Sequence, residues 1–286
     1  MNSFLWRIGR TGVVVYLGIL LIMLCLERFL VYPTSKADPD HVDANEFGGE
    51  DIHFESADGT KLHGWYFENP QARGHLLFCH GNGDMVPWLG GFGQEMRDRY
   101  GLSVFVFDYR GYGLSEGKPF EKGVLEDSEA ARKWFANKCG IPIDEVILMG
   151  QSLGGGVAVH LAANGGAKGL ILQCTFDTLT ETSAYHYPWL PVRTLMRNRY
   201  DSISKIGQYQ GPLLQSHGTA DNVVPYELGQ KLFAAANEPK QFFTLEYGGH
   251  SAPENPKYDT LLEVFLFEIT NPGGATSTQQ IHNELP

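Results

Sequence analysis

The sequence predicts an α/β fold: a mostly parallel, doubly wound sheet carrying a short cap insertion, preceded by an apolar N-terminal helix. Three observations predict it. Six apolar runs, GHLLFC, SVFVFD, EVILMG, GLILQC, PLLQSH and QFFTLEY, alternate with segments of helical spacing. Their near-continuous apolar character suits strands buried on both faces of a parallel sheet. One long strand-free segment, Phe176 to Gly211, interrupts this rhythm, and one uncharged run, Thr11 to Leu26, precedes it all.

In chain order, Arg7 and Arg10 come before TGVVVYLGILLIMLCL, and Glu27-Arg28 separates that run from FLVYP. The uncharged run is slightly shorter than the ~20 residues needed to cross a bilayer. Counting Phe29 to Tyr32, with Arg28 snorkelling, brings it into range. A retained signal anchor is the expected reading. A cleaved signal peptide fits less well because no small-x-small cleavage site follows. A peripheral or buried helix is the third reading. Both early positive charges lie before the span and SKADPDHVDANEFGGED after it is mostly acidic. The positive-inside rule then places the N-terminus in the cytoplasm and the remaining chain outside it.

The expected organisation is an anchor over 1–32, a linker over 33–50, a catalytic domain over 51–270 with its insertion at 176–211, and a disordered tail over 271–286. DIHFES and KLHGWYF read as a hairpin through ADGT, where Asp58-Gly59 is a strong turn signal. Helices are expected over Leu125–Asn137, after Ser152, over Tyr226–Ala236 behind Pro225, and over Tyr258–Ile269. Within the insertion, Pro188 and Pro191 exclude one continuous helix.

Composition bounds the function. A chain of 286 residues, 43% hydrophobic and 19% charged, can build one large core with appendages. A net charge of −11 argues against a nucleic-acid partner, which calls for a basic face. Cys79 and Cys174 lie in apolar runs and read as small buried hydrophobes, and Cys25 and Cys139 complete the set. With no C-x-x-C and no His/Cys cluster, neither a metal nor a cofactor is expected.

The chemistry centres on G-x-S-x-G, which occurs twice, at Ser152 in GQSLG and at Ser115 in GLSEG. The pattern alone is weak: chance supplies it in about one chain in five of this composition. Context separates the two. A nucleophile elbow needs a strand before the serine and a helix after it, with small residues on either side. EVILM and GGGVAVHLAA provide both for Ser152. Ser115 follows YRGYGL and precedes EGKPF, so it reads as a structural loop residue. Serine requires a base, and in this arrangement the order is serine, acid, histidine. His250, in YGGHS after the last strand, is the candidate base. His186, His217 and His282 fit less well, in the insertion, at a strand end and in the tail. Asp221, after the strand PLLQSH, is the candidate acid, with Asp177 as its alternative. The backbone N–H groups of Leu153 and of Asn82, in FCHGNGD, are the candidate oxyanion donors. His80 and the loop FDYRGYGLSEG are expected to brace that region, and His160 to pack on its helix.

The motifs HGNGD, DYRGYGLSEG, GQSLGG, HGTADNVVP and GGHS together resemble the α/β-hydrolase superfamily. They are most similar to its membrane-anchored α/β-hydrolase domain-containing serine hydrolases and their bacterial relatives. The resemblance covers roughly Ile52 to Ile269, and YPWLPVRTLMRNRYDSISKI is similar to that group's short cap. It implies an α/β-hydrolase fold, a triad of Ser152, Asp221 and His250, and oxyanion donors at Asn82 and Leu153. It implies a small-molecule or lipid-like acyl substrate and membrane attachment. Gly83-Asp84 departs from the Ala-Gly common among relatives and adds a negative charge beside the oxyanion loop. The expected activity is cleavage of carboxylic esters or thioesters through an acyl-enzyme. The alternatives are an aminopeptidase-like amide hydrolase, with Asp84 contributing to an amine site, and an inactive membrane-tethered binding protein.

Overall fold

The computed structural model describes residues 2–34, 43–251 and 255–271. Residues 35–42 of the expected linker, and residues 272–286 of the expected tail with His282, lie outside the described residues. The strands are β1 (Glu50–Glu55), β2 (Lys61–Phe67), β3 (Gly74–Cys79), β4 (Leu102–Asp108), β5 (Val146–Gln151), β6 (Gly169–Gln173), β7 (Leu213–Gly218) and β8 (Lys240–Leu245). Among the described residues they form one sheet in the order β1-β2-β4-β3-β5-β6-β7-β8. β1 and β2 pair antiparallel, β2 pairs antiparallel with β4, and every other pairing is parallel.

The apolar runs form strands because both faces of the sheet are covered. Successive side chains alternate between two cores, as the pleat requires. Leu77 and Cys79, Phe105 and Phe107, Leu148, Leu170 and Leu172 face one core. Leu76 and Phe78, Val104 and Val106, Ile147, Met149 and Ile171 face the other. The first core is closed by α3 (Glu121–Cys139), α4 (Leu153–Gly165) and α8 (Tyr226–Ala235), the second by α2 (Gly90–Asp98) and α9 (Pro256–Thr270). Each fully buried large apolar side chain contributes roughly 1.5–3 kcal/mol.

Several boundaries differ from expectation. Helix α3 starts at Glu121 and ends at Cys139, one turn longer at its N-terminus than the apolar spacing indicates. The expected linker already contains structure: Ala44–Phe47 form a 3-10 turn capped by Asp43, whose carboxylate accepts from the Asn45 N–H at 2.8 Å. Helix α2 was not legible because it is rich in glycine. A Cβ on Gly90 would run into the Phe47 ring and one on Gly93 into the Phe67 ring.

The insertion divides into two parts. Its second half, with Tyr200, Tyr209 and α7 (Ile203–Ile206), belongs to the first core. Its first half forms a tip containing α5 (Leu179–His186) and α6 (Val192–Leu195). That tip leans on α1 (Asn2–Val31), which continues unbroken through Glu27-Arg28. Glu27 is buried there, and its Oε1 accepts from the Arg197 N–H at 2.9 Å, the Asn198 N–H at 2.8 Å and the Asn198 carboxamide at 2.8 Å. The Tyr32 hydroxyl donates to Asn198 Oδ1 at 3.0 Å and lies 2.9 Å from the Tyr200 hydroxyl. The stretch Phe4–Val31 is long and apolar enough to cross a membrane.

The loop after β4 is held by a buried ion pair. The Arg110 guanidinium donates to both oxygens of Asp127, which is fully buried, and reaches Asp58 and Ser56. Asp127→Ala removes the buried carboxylate and leaves that buried guanidinium only Ser56 and the half-exposed Asp58 as partners, and is expected to cost about 3–5 kcal/mol. Asp58→Ala, removing a half-exposed partner, is expected to change stability little. Urea midpoints of the two variants check this; equal losses would show that burial of the pair is not what matters.

Candidate active site

Four loops meet beyond the C-terminal ends of parallel strands, where α/β sheets place their ligand sites. β3 runs into residues 80–84, β5 into Ser152, β7 into residues 219–225 and β8 into residues 246–250. Ser152 stands between the last residue of β5 and the first of α4 with φ +53° and ψ −118°, a conformation L-residues rarely adopt. Small neighbours make that turn possible. A Cβ on Gly150 would collide with the Gly154 carbonyl, and one on Gly154 with the Cys79 carbonyl. The turn is fastened to the next strand. The Ser152 N–H donates to the Gln173 carbonyl at 2.9 Å, and the Thr175 hydroxyl donates to the Ser152 carbonyl at 2.8 Å.

The expected partners come together. His250 Nδ1 lies 2.8 Å from Asp221 Oδ2, and His250 Nε2 lies 3.0 Å from Ser152 Oγ. An ionised carboxylate only accepts, so Nδ1 carries the proton. In the neutral ring Nε2 is then the acceptor, and the Ser152 hydroxyl donates to it. Asp221 is held from several sides. Its Oδ1 accepts from the N–H groups of Val223 at 2.8 Å and Val224 at 2.9 Å. His217 Nε2 lies 3.2 Å from Oδ2 and 2.9 Å from the Val224 carbonyl. Burial by itself would raise the Asp221 carboxyl. Donation from His217, His250 and Val224 outweighs it and holds the group well below the usual carboxylate range.

His217 therefore supports Asp221, a role its sequence position did not reveal. The one available signal was its i,i+4 spacing to Asp221. Since Nε2 faces two acceptors, it carries the ring proton, and Nδ1 is buried without a partner among the described residues. Gly229 packs against that nitrogen, where a Cβ would collide with it.

The candidate oxyanion loop passes beside the serine. A Cβ on Gly81 would sit 3.7 Å from Ser152 Cβ and 3.1 Å from Asp84 Oδ2. Asn82 follows, its carboxamide donating to the Val31 carbonyl at the end of α1 at 3.1 Å. The Leu153 N–H opens the first turn of α4 and so has no acceptor within its own helix. His80 braces this loop from below. It is fully buried, its Nδ1–H donates to the Gly81 carbonyl at 2.7 Å, and its ring lies 4.3 Å from that of Tyr109. Burial holds its imidazole pKa down. The Tyr109 hydroxyl donates to the His80 carbonyl at 3.0 Å, so the loop after β4 supports the loop after β3.

The rival residues lie elsewhere. Ser115 is buried, accepting from the His63 N–H at 2.9 Å and donating to the Asp108 carbonyl at 2.7 Å. Asp177 pairs with Lys231 and accepts from the Thr178 N–H. His186 contacts the Val223 carbonyl, and His160 contacts Glu129. Cys174 lies near Asp221 and His250, their potential ligand atoms within 4.8 Å of one another. That cluster fits a metal poorly. Burial pushes the thiol up to about 12, away from the thiolate that binds metals, and Asp221 and His250 are already bonded to each other.

The family model described as alpha/beta hydrolase fold matches residues 74–202. The chain is 35% identical over 239 residues to an uncharacterized protein of Mycobacterium tuberculosis, covering 83% of this chain and 85% of that one. It is 30% identical over 269 residues to the uncharacterized protein YfhR of Escherichia coli, covering 86% and 88%. It is 33% identical over 186 residues to human alpha/beta hydrolase domain-containing protein 17B, covering 65% and 63%. Among solved structures, the Pyrococcus furiosus esterase Pf2001 superposes with a TM-score of 0.65 at 18% identity, covering 82% of this chain and 98% of that one.

The depressed Asp221 carboxyl has a pH consequence. Its stabilisation is present above the unfolded value of 3.8 and is lost as pH falls toward the folded value. Asp221→Asn is expected to cost about 1–3 kcal/mol near neutrality. The gap to the parent chain should narrow as pH falls below that unfolded value, where the unfolded parent takes up a proton that the folded parent resists. Denaturant unfolding across the acid range checks it; a gap independent of pH would contradict the coupling.

Proposed function

The chain belongs to the alpha/beta hydrolase family, and from that premise we propose that it is a membrane-anchored serine hydrolase of carboxylic esters or thioesters. The observation that carries this reading is the continuous chain from Ser152 Oγ through the His250 ring to Asp221, set at a strained strand-to-helix turn. Ser152 Oγ attacks the acyl carbonyl carbon while His250 Nε2 takes its proton. Asp221 orients the ring and balances the imidazolium that forms. The N–H groups of Asn82 and Leu153 receive the oxyanion. Collapse breaks the bond to the alcohol or thiol, which leaves with the proton from His250. A water then gives its proton to Nε2 and its oxygen to the acyl carbon. The carboxylic acid departs and Ser152 recovers its hydrogen.

The membrane part of the proposal rests on α1. Arg7 and Arg10 near its start orient it with the N-terminus in the cytoplasm and the hydrolase body on the other side. A C-terminal reporter tests this, and a cytoplasmic C-terminus would reverse the assignment.

Wild-type protein is expected to react with a fluorophosphonate probe, and Ser152→Ala to lose both the label and at least about 10³-fold in kcat on an ester substrate. Absence of wild-type labelling, or equal labelling of the variant, would favour an inactive binding protein. A panel of p-nitrophenyl esters, acyl thioesters and aminoacyl anilides separates ester and thioester from amide cleavage. Preference for anilides would favour the aminopeptidase-like reading.

A further inference from the structure

The tip of the insertion and α1 enclose an apolar cavity of about 190 Å³. Leu20, Met23 and Leu24 of α1 line one side, and Leu190, Leu195 and Met196 of the insertion line another. Asn82 also lines it. This is the residue next to Gly81, which passes beside Ser152, and its carboxamide is bonded to the last turn of α1. The cavity therefore shares one lining residue with the loop that passes beside Ser152.

We infer that α1 is part of the substrate site: it forms one wall of an acyl-chain pocket that fills from the lipid around the helix. The inference rests on the serine-hydrolase reading and adds the substrate class, a long-chain acyl ester or thioester resident in the membrane. Three observations support it. The lining is mostly aliphatic, with Glu27, Asn82, Ser183 and Tyr187 as its polar members, which suits a hydrocarbon tail that carries a polar head. Contact between insertion and helix continues along α1 as far as Tyr16, whose hydroxyl donates to the Trp189 carbonyl at 3.0 Å. Tyr185 and Trp189 of that tip are exposed beside a helix apolar enough to span a bilayer. Hydrocarbon surrounding α1 also surrounds the tip, so a tail can pass from lipid to cavity without crossing water. The wall is positioned by Glu27, whose three accepted hydrogen bonds fix the insertion against the helix at the cavity edge.

The test uses the full chain in detergent micelles and compares kcat/KM for p-nitrophenyl dodecanoate and p-nitrophenyl acetate. Met23→Trp, which fills the cavity from the α1 side, is expected to lower the dodecanoate-to-acetate ratio by about tenfold. Leu21→Trp, on the exposed side of the same helix, is expected to leave the ratio unchanged. The inference is overturned if both variants keep the wild-type ratio or lower it equally. Should Met23→Trp fail to fold, Leu195→Ala provides the converse: a larger cavity should shift preference from dodecanoate toward hexadecanoate, and an unshifted preference overturns the inference as well. Lack of fluorophosphonate labelling in wild-type protein would instead overturn the serine-hydrolase reading, and this inference with it.

Discussion

The turn at Ser152 is the constraint around which the molecule is arranged. A non-glycine residue at φ +53° costs roughly 1–3 kcal/mol and persists only where its surroundings over-determine it. Here they do. β5 lies between β3 and β6 in the interior of the sheet, and α4 packs directly over its end. The approach is so close that neither Gly150 nor Gly154 could carry a side chain. Hydrogen bonds to Gln173 and from Thr175 fasten the turn to β6 and the residues after it. With the serine hydroxyl raised above the sheet, loops from β3, β7 and β8 need only converge on it. The first is held by His80 and Tyr109, the second by His217 beside Asp221, and the third by its Gly248 carbonyl, which accepts from the Ala220 N–H at 2.9 Å.

A second arrangement links the apolar helix to this centre. Glu27 and Tyr32 tie the end of α1 to Asn198 and Tyr200. Asn198 in turn accepts from the Glu121 N–H at 2.8 Å, at the start of α3. The Asn82 carboxamide connects the same helix end to the loop beside Ser152. The insertion is thus held from both sides, its second half within the core and its tip against α1.

What could be read in advance follows from how locally each feature is specified. The eight strands were legible because each is an apolar run or an alternating hairpin arm. The mostly parallel sheet followed from continuous burial. Ser152 was separable from Ser115 by the strand before it and the helix after it. The expected partners His250 and Asp221 followed from chain order, and the structure brings all three within hydrogen-bond reach. Helix α2 was missed because Gly90 and Gly93 look like breakers, although they are small to admit Phe47 and Phe67. Glu27 read as an interruption of an apolar run. Its partners, Arg197 and Asn198, lie about 170 residues away, and no local pattern announces them. His217 was set aside as a strand-end histidine although Asp221 is only four residues on, because that spacing joins two side chains only once the turn after β7 has formed.

By itself, the sequence determined the α/β alternation, the insertion and the apolar N-terminal helix, and it named Ser152, Asp221 and His250 as the residues to expect together. These depend on side-chain character and spacing along the chain, which folding does not alter. Tertiary structure alone decided that His217 stands behind Asp221, that the insertion is half core and half cap, and that α1 shares a cavity with the cap. The last two are contacts between residues far apart in the chain, and the first needs the turn after β7 to fold Asp221 back onto His217. They exist only once the sheet has brought its loops to one end and burial has made each unpaired polar group find a partner.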